Sequence, residues 1–261
     1  MSVDVSNAFI NQYEREAQQK FQRRGSYLLP TVRTKPGVKG SAVIFQVIGK
    51  GIATTKSRHG TITPMNITHT AVTCTLADFY AGDWADVLDL EKLNIDEKFE
   101  IQNAAAGALG RKIDNQILTE LDNTTQTTVT VTVTSFAATR NGFLSGIEAL
   151  NNNDVPNDGE RWGVMTDRLW GQLMNVDQFI RTDYNGPTDL PFTEGAWTAK
   201  RFRTWLGVHW QAHNDIAGRT TATAKNFVYH KNSIGYGYAM LVEGMDGPSA
   251  KADVWWDGSR A

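Results

Sequence analysis

The run Ala42-Val43-Ile44-Phe45-Gln46-Val47-Ile48 and the β-branched run from Ile67 to Leu76 flank a polar segment rich in Gly and Thr, Gly49 to Pro64. Two apolar, β-branched runs separated in this way read as the strands of one long hairpin. A connection of about 16 residues is too long for a tight turn, and loops of that length commonly carry function. Charge is segregated around this hairpin. From Ala17 to Ala77 there is no Asp or Glu but nine Lys and Arg, whereas Asp78 to Glu100 holds eight acids against two lysines. Blocks of like charge are ordinarily solvated faces or tails. The strand pattern inside the basic block argues against a disordered tail. Opposite charges on different parts of identical chains suit head-to-tail association, which builds rings and shells.

Helical periodicity appears on both sides of the hairpin. Val5, Phe9, Tyr13, Ala17 and Phe21 recur at every fourth position and predict an amphipathic helix from Val5 to Arg24, ended by Gly25 and Pro30. From Ile95 to Leu121 the positions Ile95, Phe99, Ala106, Leu109, Ile113, Ile117 and Leu121 define a second helix of roughly 40 Å. Asp96 and Glu97 near its start complement the helix dipole. Gly107 and Gly110 in its interior cost about 1 kcal/mol each relative to Ala, so a neighbouring backbone is expected to approach closely there. Thr127 to Thr134 alternates Thr and Val as a half-wet strand does. Short helices are expected at Asn141 to Leu150 and Arg168 to Met174, and strands at Trp162 to Met165 and Asn226 to Tyr229. Arg181 to Trp197, with Asn185-Gly186-Pro187, reads as an irregular loop.

Composition sets bounds on function. The 261 residues are 41% hydrophobic and carry a net charge of −2 with a pI near 6.2. That balance suits a globular chain with a large core and disfavours a protein whose affinity comes from coating nucleic-acid phosphates. The single cysteine, Cys74, excludes an intrachain disulfide and fits a reducing compartment. The first residues lack the apolar stretch of a signal peptide, and no run approaches the length of a membrane span. The chain is therefore expected to be made inside the cell.

No phosphate-binding loop, dinucleotide fingerprint, zinc-protease motif or nucleophile elbow is present in the sequence. Asp78, Asp83, Asp86 and Asp89 could act as oxygen ligands, but their spacing is not that of a calcium loop. His59, His69 and Cys74 share the hairpin; His69 and Cys74 are five positions apart, on opposite faces of a regular strand. Trp205 and Trp210 beside His209 could stack on a ring, although bulky aromatics so spaced are more often core. The sequons at Asn66 and Asn123 carry no meaning without a secretory signal. No catalytic, cofactor or metal residue is therefore expected, and the chain is read as a non-enzyme.

The order of these parts resembles the major capsid proteins of tailed bacteriophages, the HK97-like fold. The stretches that carry the resemblance are Ser57-Arg58-His59-Gly60-Thr61, His69-Thr70 with Leu76-Ala77-Asp78, and Asp83-Trp84-Ala85-Asp86 leading to Gln102-Asn103-Ala104-Ala105-Ala106-Gly107-Ala108-Leu109-Gly110-Arg111. Asn226-Phe227-Val228-Tyr229-His230-Lys231-Asn232-Ser233-Ile234-Gly235 carries it further along. The resemblance covers nearly the whole chain, and its specificity lies in order and spacing. It implies an α+β fold with an N-terminal arm (1–34), an extended hairpin or E-loop (35–75), a peripheral domain with a long spine helix (76–135 and 225–261) and an axial domain (136–224). It also implies self-assembly, as pentamers and hexamers, into an icosahedral head enclosing double-stranded DNA, built in the cytoplasm of a host bacterium. Scaffolding, portal and decoration proteins would be further partners, packaged DNA would be met by weak non-specific contact, and no membrane would be involved. An encapsulin-like cargo shell is the nearest alternative and a soluble hydrolase a distant one.

Two features depart from the family pattern: no coiled-coil scaffolding segment precedes the arm, and the chain stops at Trp255 to Ala261 without a final apolar strand. Scaffolding would then come from a separate protein or be unnecessary, and the ending would be shortened or unusual.

The charge split locates the expected subunit contacts. Lys50, Lys56, Arg58 and His59 at the hairpin tip are expected to lie over a neighbour's Asp78, Asp83, Asp86 and Asp89, while Val43, Phe45, Val47, Val72 and Leu76 bury apolar surface. Lys20, Arg23 and Arg24 of the arm would face either a neighbouring subunit or the DNA-filled lumen.

Overall fold

A computed structural model describes residues 25–83, 97–124, 136–180, 202–221 and 224–239. The predicted N-terminal helix with Lys20, Arg23 and Arg24, the acids Asp86 and Asp89, the strand from Thr127 to Thr134, the loop from Arg181 to Trp197 and the last residues lie outside this set. The chain divides into two compact units, one of residues 1–26, 78–112 and 240–261 and one of residues 27–77 and 113–239.

The second unit holds most of the described elements. In chain order these are β1 (Arg33–Lys35), the hairpin strands β2 (Ala42–Ile48) and β3 (His69–Thr75), helix α1 (Glu97–Asn123), which begins in the first unit, and α2 (Phe136–Asn152). There follow β4 (Arg161–Met165), α3 (Asp167–Leu173), α4 (Asp177–Ile180), β5 (Phe202–Trp205), β6 (Val208–Ala212), β7 (Phe227–His230) and β8 (Gly235–Gly237). A four-stranded sheet runs β5-β6-β4-β7, with β4 parallel to β6 and antiparallel to β7. β2 pairs with β3, and β1 with β8, as two-stranded sheets.

The sheet's core is aromatic. Trp205 and Trp210, the residues that could have stacked on a ligand, are buried with Phe143 and Phe179, and Phe143 meets the Trp210 ring edge-on at 4.7 Å. The Trp210 indole N–H donates to the Trp205 carbonyl at 3.0 Å. Its ring lies across Gly163, where any side chain would collide with it. β5 and β6 are joined by Leu206 and Gly207, both at positive φ of 55° and 75°, the conformation that two-residue hairpin turns require.

On the other side of the sheet, α1 packs through Ile113, Ile117, Leu118 and Leu121 onto Leu28, Val32, Val164 and Tyr229. Asp114 sits fully buried in this stripe. Its carboxylate accepts the backbone N–H groups of Tyr27 (3.1 Å) and Leu28 (3.0 Å) and the His213 Nε2–H (3.2 Å). Because His213 Nδ1 accepts from the Asp215 N–H, the ring proton resides on Nε2. The first turns of α1 run against expectation: Phe99 and Ala106 are exposed, whereas Gly107 and Gly110 are buried. A Cβ on Gly110 would fall within 2.7 Å of the Gly25 backbone. The glycines are thus the contact face, and the apolar positions beside them point outward.

Candidate functional site

The hairpin is the part of the described chain that its own core leaves most uncovered. Its strands pair in register from Ala42 opposite Thr75 to Ile48 opposite His69. With side chains alternating between faces, Val43, Phe45, Val47, Thr70, Val72 and Cys74 share one face, and Ala42, Ile44, Gln46, Ile48, His69, Ala71, Thr73 and Thr75 the other. His69 and Cys74 therefore stand on opposite faces, as their spacing predicts, and His59 lies in the connecting loop.

Only the root of the hairpin is covered. Val43 and Phe45 are buried within their own chain against β8. A Cβ on Gly235 would lie 2.8 Å from the Phe45 ring, and one on Gly237 would lie 2.9 Å from Val43 Cγ2. The Gly-Tyr-Gly strand is therefore a socket that any larger residue would fill. The Arg33 guanidinium lies over the Phe45 ring, 5.6 Å from its centroid, and the Leu76 N–H donates to the Ser41 carbonyl at 2.9 Å. This corrects the expectation that Val43 and Phe45 supply apolar surface to a neighbour, because β8 of the same chain already takes them. The other large apolar side chains of the strands are bare, at the root and beyond it: Ile44, Val47 and Val72 are each more than half exposed and Ile48 is 63% exposed.

The connecting loop continues the hairpin. Gly49 N–H donates to Thr68 O at 2.8 Å, Thr54 Oγ1 donates to Thr63 O at 3.4 Å, and a turn closed by Gly60 N–H to Ser57 O (3.1 Å) forms the apex. Arg58 and His59 occupy that turn, and Lys56 precedes it; all three are exposed. Ile52, Ile62 and Met65 along the arms are exposed as well. The structure thus gathers Lys56, Arg58 and His59 at one tip.

Lys50 stands apart from them. It lies just beyond β2, where its Nζ pairs with Asp154 Oδ2 at 2.6 Å in the same chain. That ammonium holds the Asp154 carboxyl below its usual range. Asp78 and Asp83 are exposed in the first unit.

Sequence reading missed Asp154, which lies 104 positions from Lys50. It also missed a cluster in which ligand-type atoms of Asp158, Glu160 and His230 lie within 4.8 Å of one another. Its chemistry is that of a loop clamp. His230 Nδ1 accepts the Asn232 N–H (3.2 Å), so Nε2 carries the proton and donates to Asp158 at 3.0 Å. Metal binding at Nε2 would move that proton to Nδ1, against the Asn232 N–H. Glu160 is held by Lys231 at 3.0 Å, and the Asp158 carboxyl is shifted down first by the Glu160 N–H and then by His230.

The phage capsid protein family model matches residues 5–245. No curated protein matches in sequence. Among solved structures, one from Mycobacterium phage Che8 superposes with a TM-score of 0.64 at 16% identity, covering 88% of this chain and 82% of the other. The capsid of cyanophage P-SCSP1u gives 0.63 at 15% identity, covering 92% and 83%. The mature capsid of bacteriophage PhiM1 gives 0.61 at 13%, covering 86% and 77%. At such identities the likeness concerns the fold, which is α+β and HK97-like.

Proposed function

The chain belongs to the phage capsid protein family and is the major structural protein of a phage head; on that premise we propose that the hairpin is the arm by which each copy grips the next. The supporting observation is its surface. Beyond the Phe45 socket both faces of the ladder present large apolar side chains to solvent, and the apex carries Lys56, Arg58 and His59. Extended to the apex, the arm reaches roughly 50 Å from Ala42. A monomer gains nothing from such an arm, whereas a shell buries it at every repeat.

In this reading the apex cations lie over a neighbour's acidic segment, including Asp78 and Asp83, while Ile44, Val47, Ile48 and Val72 supply apolar burial. Apolar area gives such an interface its strength, and rim charges give encounter rate and register. The copies form pentamers and hexamers that close an icosahedral head around double-stranded DNA, in the cytoplasm of the host and without enzymatic turnover. Residues 1–34 act as the arm at the N-terminus, 35–75 as the E-loop, 76–135 with 225–261 as the peripheral domain and 136–224 as the axial domain. Scaffolding, portal and decoration proteins and weakly held DNA complete the partners, and Lys20, Arg23 and Arg24 meet either a neighbouring subunit or that DNA.

Negative-stain microscopy of the purified protein tests the proposal. Wild-type protein should yield closed shells, and Lys56→Glu with Arg58→Glu should yield few or none. Raising the salt to 1 M, where the Debye length is about 3 Å, should slow wild-type assembly. Shells of normal size and number from the reversed-charge variant would overturn the role of the tip.

A further inference from the structure

The hairpin is held at two points of very different character. At the root, Phe45 and Val43 fill the Gly235 and Gly237 socket, an apolar contact shut off from water. Five residues further along the same strand direction, Lys50 meets the end of α2, with Nζ 2.6 Å from Asp154 Oδ2 and 3.5 Å from the Asn153 carbonyl. One point fixes where the arm starts, and two fix where it aims.

The end of α2 has its own need for a cation. This 17-residue helix carries no basic residue in its last turn, so the negative pole of its dipole is left uncompensated by its own side chains. The chain leaves the helix through Asn153 N–H to Leu150 O (3.2 Å), Asp154 N–H to Asn151 O (2.9 Å) and Val155 N–H to Leu150 O (3.1 Å). Asp154 itself adopts a positive φ of 55°. A carboxylate at that pole is repelled by the last carbonyls unless a cation is brought to it, and Lys50 brings one from the hairpin. Both side chains remain largely in water, at 71% and 78% exposed. Such a pair is weak and exchangeable, shifting a two-state ratio only about two- to fivefold. The buried socket is not exchangeable.

We propose that Lys50 and the C-terminal end of α2 form a releasable latch that aims the hairpin in the free subunit, and that assembly exchanges Asp154 for a carboxylate of a second copy. The exchange rests on the reading of the hairpin as a grip between copies; the aiming in the free subunit does not. The leverage is large. From Phe45 to the apex is about 40 Å of extended chain, so a tilt of roughly 10° at the root carries Arg58 about 7 Å. An arm that must fit non-identical neighbours around one shell needs a root that keeps its register and an outer tie that yields.

Spin labels on Thr55→Cys near the apex and Glu148→Cys on the exposed side of α2, in a Cys74→Ser background, report the aim as a distance distribution in unassembled protein. At low salt one distance should dominate the distribution. Asp154→Asn, Lys50→Gln and 1 M NaCl should each broaden it, and Lys50→Glu combined with Asp154→Lys should restore it. An Asp154→Asn distribution matching that of wild type would overturn the latch. Normal wild-type shells alongside unchanged distributions would remove the latch alone. Broadening as expected from a wild type that never forms shells would remove the assembly reading and leave the latch standing.

Discussion

The sheet β5-β6-β4-β7 and the hairpin β2-β3 are both rich in apolar and β-branched residues, yet they dispose of those residues in opposite ways. In the sheet Trp210 occupies the space over Gly163, Phe143 closes on it edge-on, and the Arg203 guanidinium lies 4.3 Å from the Phe179 ring centroid. In the hairpin the same kinds of side chain stop being covered two residues past Phe45. Burying a Val, Leu or Ile side chain is worth about 1.5–3 kcal/mol. The sheet realises that gain within one subunit; the hairpin can realise it only against another surface. If the hairpin is the grip between copies proposed above, stability and assembly are separated along the chain, and substitutions should sort accordingly.

The largest effect is expected on the packed side. Asp114→Ala would leave the Tyr27 and Leu28 N–H groups and the His213 Nε2–H buried without their acceptor. Leaving several buried donors unsatisfied costs of the order of 3–5 kcal/mol. Urea unfolding of the subunit measures this, and a loss below about 1 kcal/mol would show that α1 does not depend on this carboxylate.

A smaller effect on the same side is set by pH. Tyr229 is buried, shares a 2.6 Å hydrogen bond between its hydroxyl and Thr31 Oγ1, and has its phenol pushed up to about 12, chiefly by burial, which outweighs that hydrogen bond and is reinforced by the negative Asp114. A folded-state pKa raised above the unfolded value of 10.0 gives stability that is complete below pH 10 and lost as pH climbs towards 12. A rise of that size is worth on the order of 2–3 kcal/mol. Tyr229→Phe should flatten the fall in stability between those pH values while costing about 1 kcal/mol at neutral pH for the missing hydrogen bond. An alkaline limb that is equally steep in both proteins would place the titrating group elsewhere.

The same contrast explains what was legible in the sequence. β2 begins and ends at Ala42 and Ile48, as its short apolar run indicates, and α1 follows its periodicity to within two residues at each end. β5 and β6 escaped because their turn is Leu206-Gly207 rather than a familiar Asn-Gly. β8 escaped because Gly-Tyr-Gly has no strand composition; it is a strand whose lack of side chains makes room for Phe45 and Val43. The outward turn of Phe99 and Ala106 has the same origin as the burial of Gly110. Counting apolar residues finds a face packed by side chains and misses one packed by backbone. Nothing in its helical pattern marks Asp114 as buried, and Lys50 with Asp154 could not be paired by any local rule.

The smallest effect on the subunit should be the largest on the particle. Ile44 and Ile48 share the face of the hairpin that its own root leaves bare, at 55% and 63% exposed. Replacing both with Thr preserves β-branching, so the strand's backbone preference is retained. Already largely hydrated, these side chains contribute little apolar burial to the isolated fold, and the change in unfolding free energy should stay within about 0.5 kcal/mol. Against a second copy the same two side chains would lose most of their water. The concentration at which shells form, followed by light scattering, should therefore rise at least tenfold, a shift that needs only about 1.4 kcal/mol per interface. Unchanged assembly with unchanged stability would mean that this face remains wet in the particle, and the grip would then have to lie with Val47 and Val72 on the opposite face.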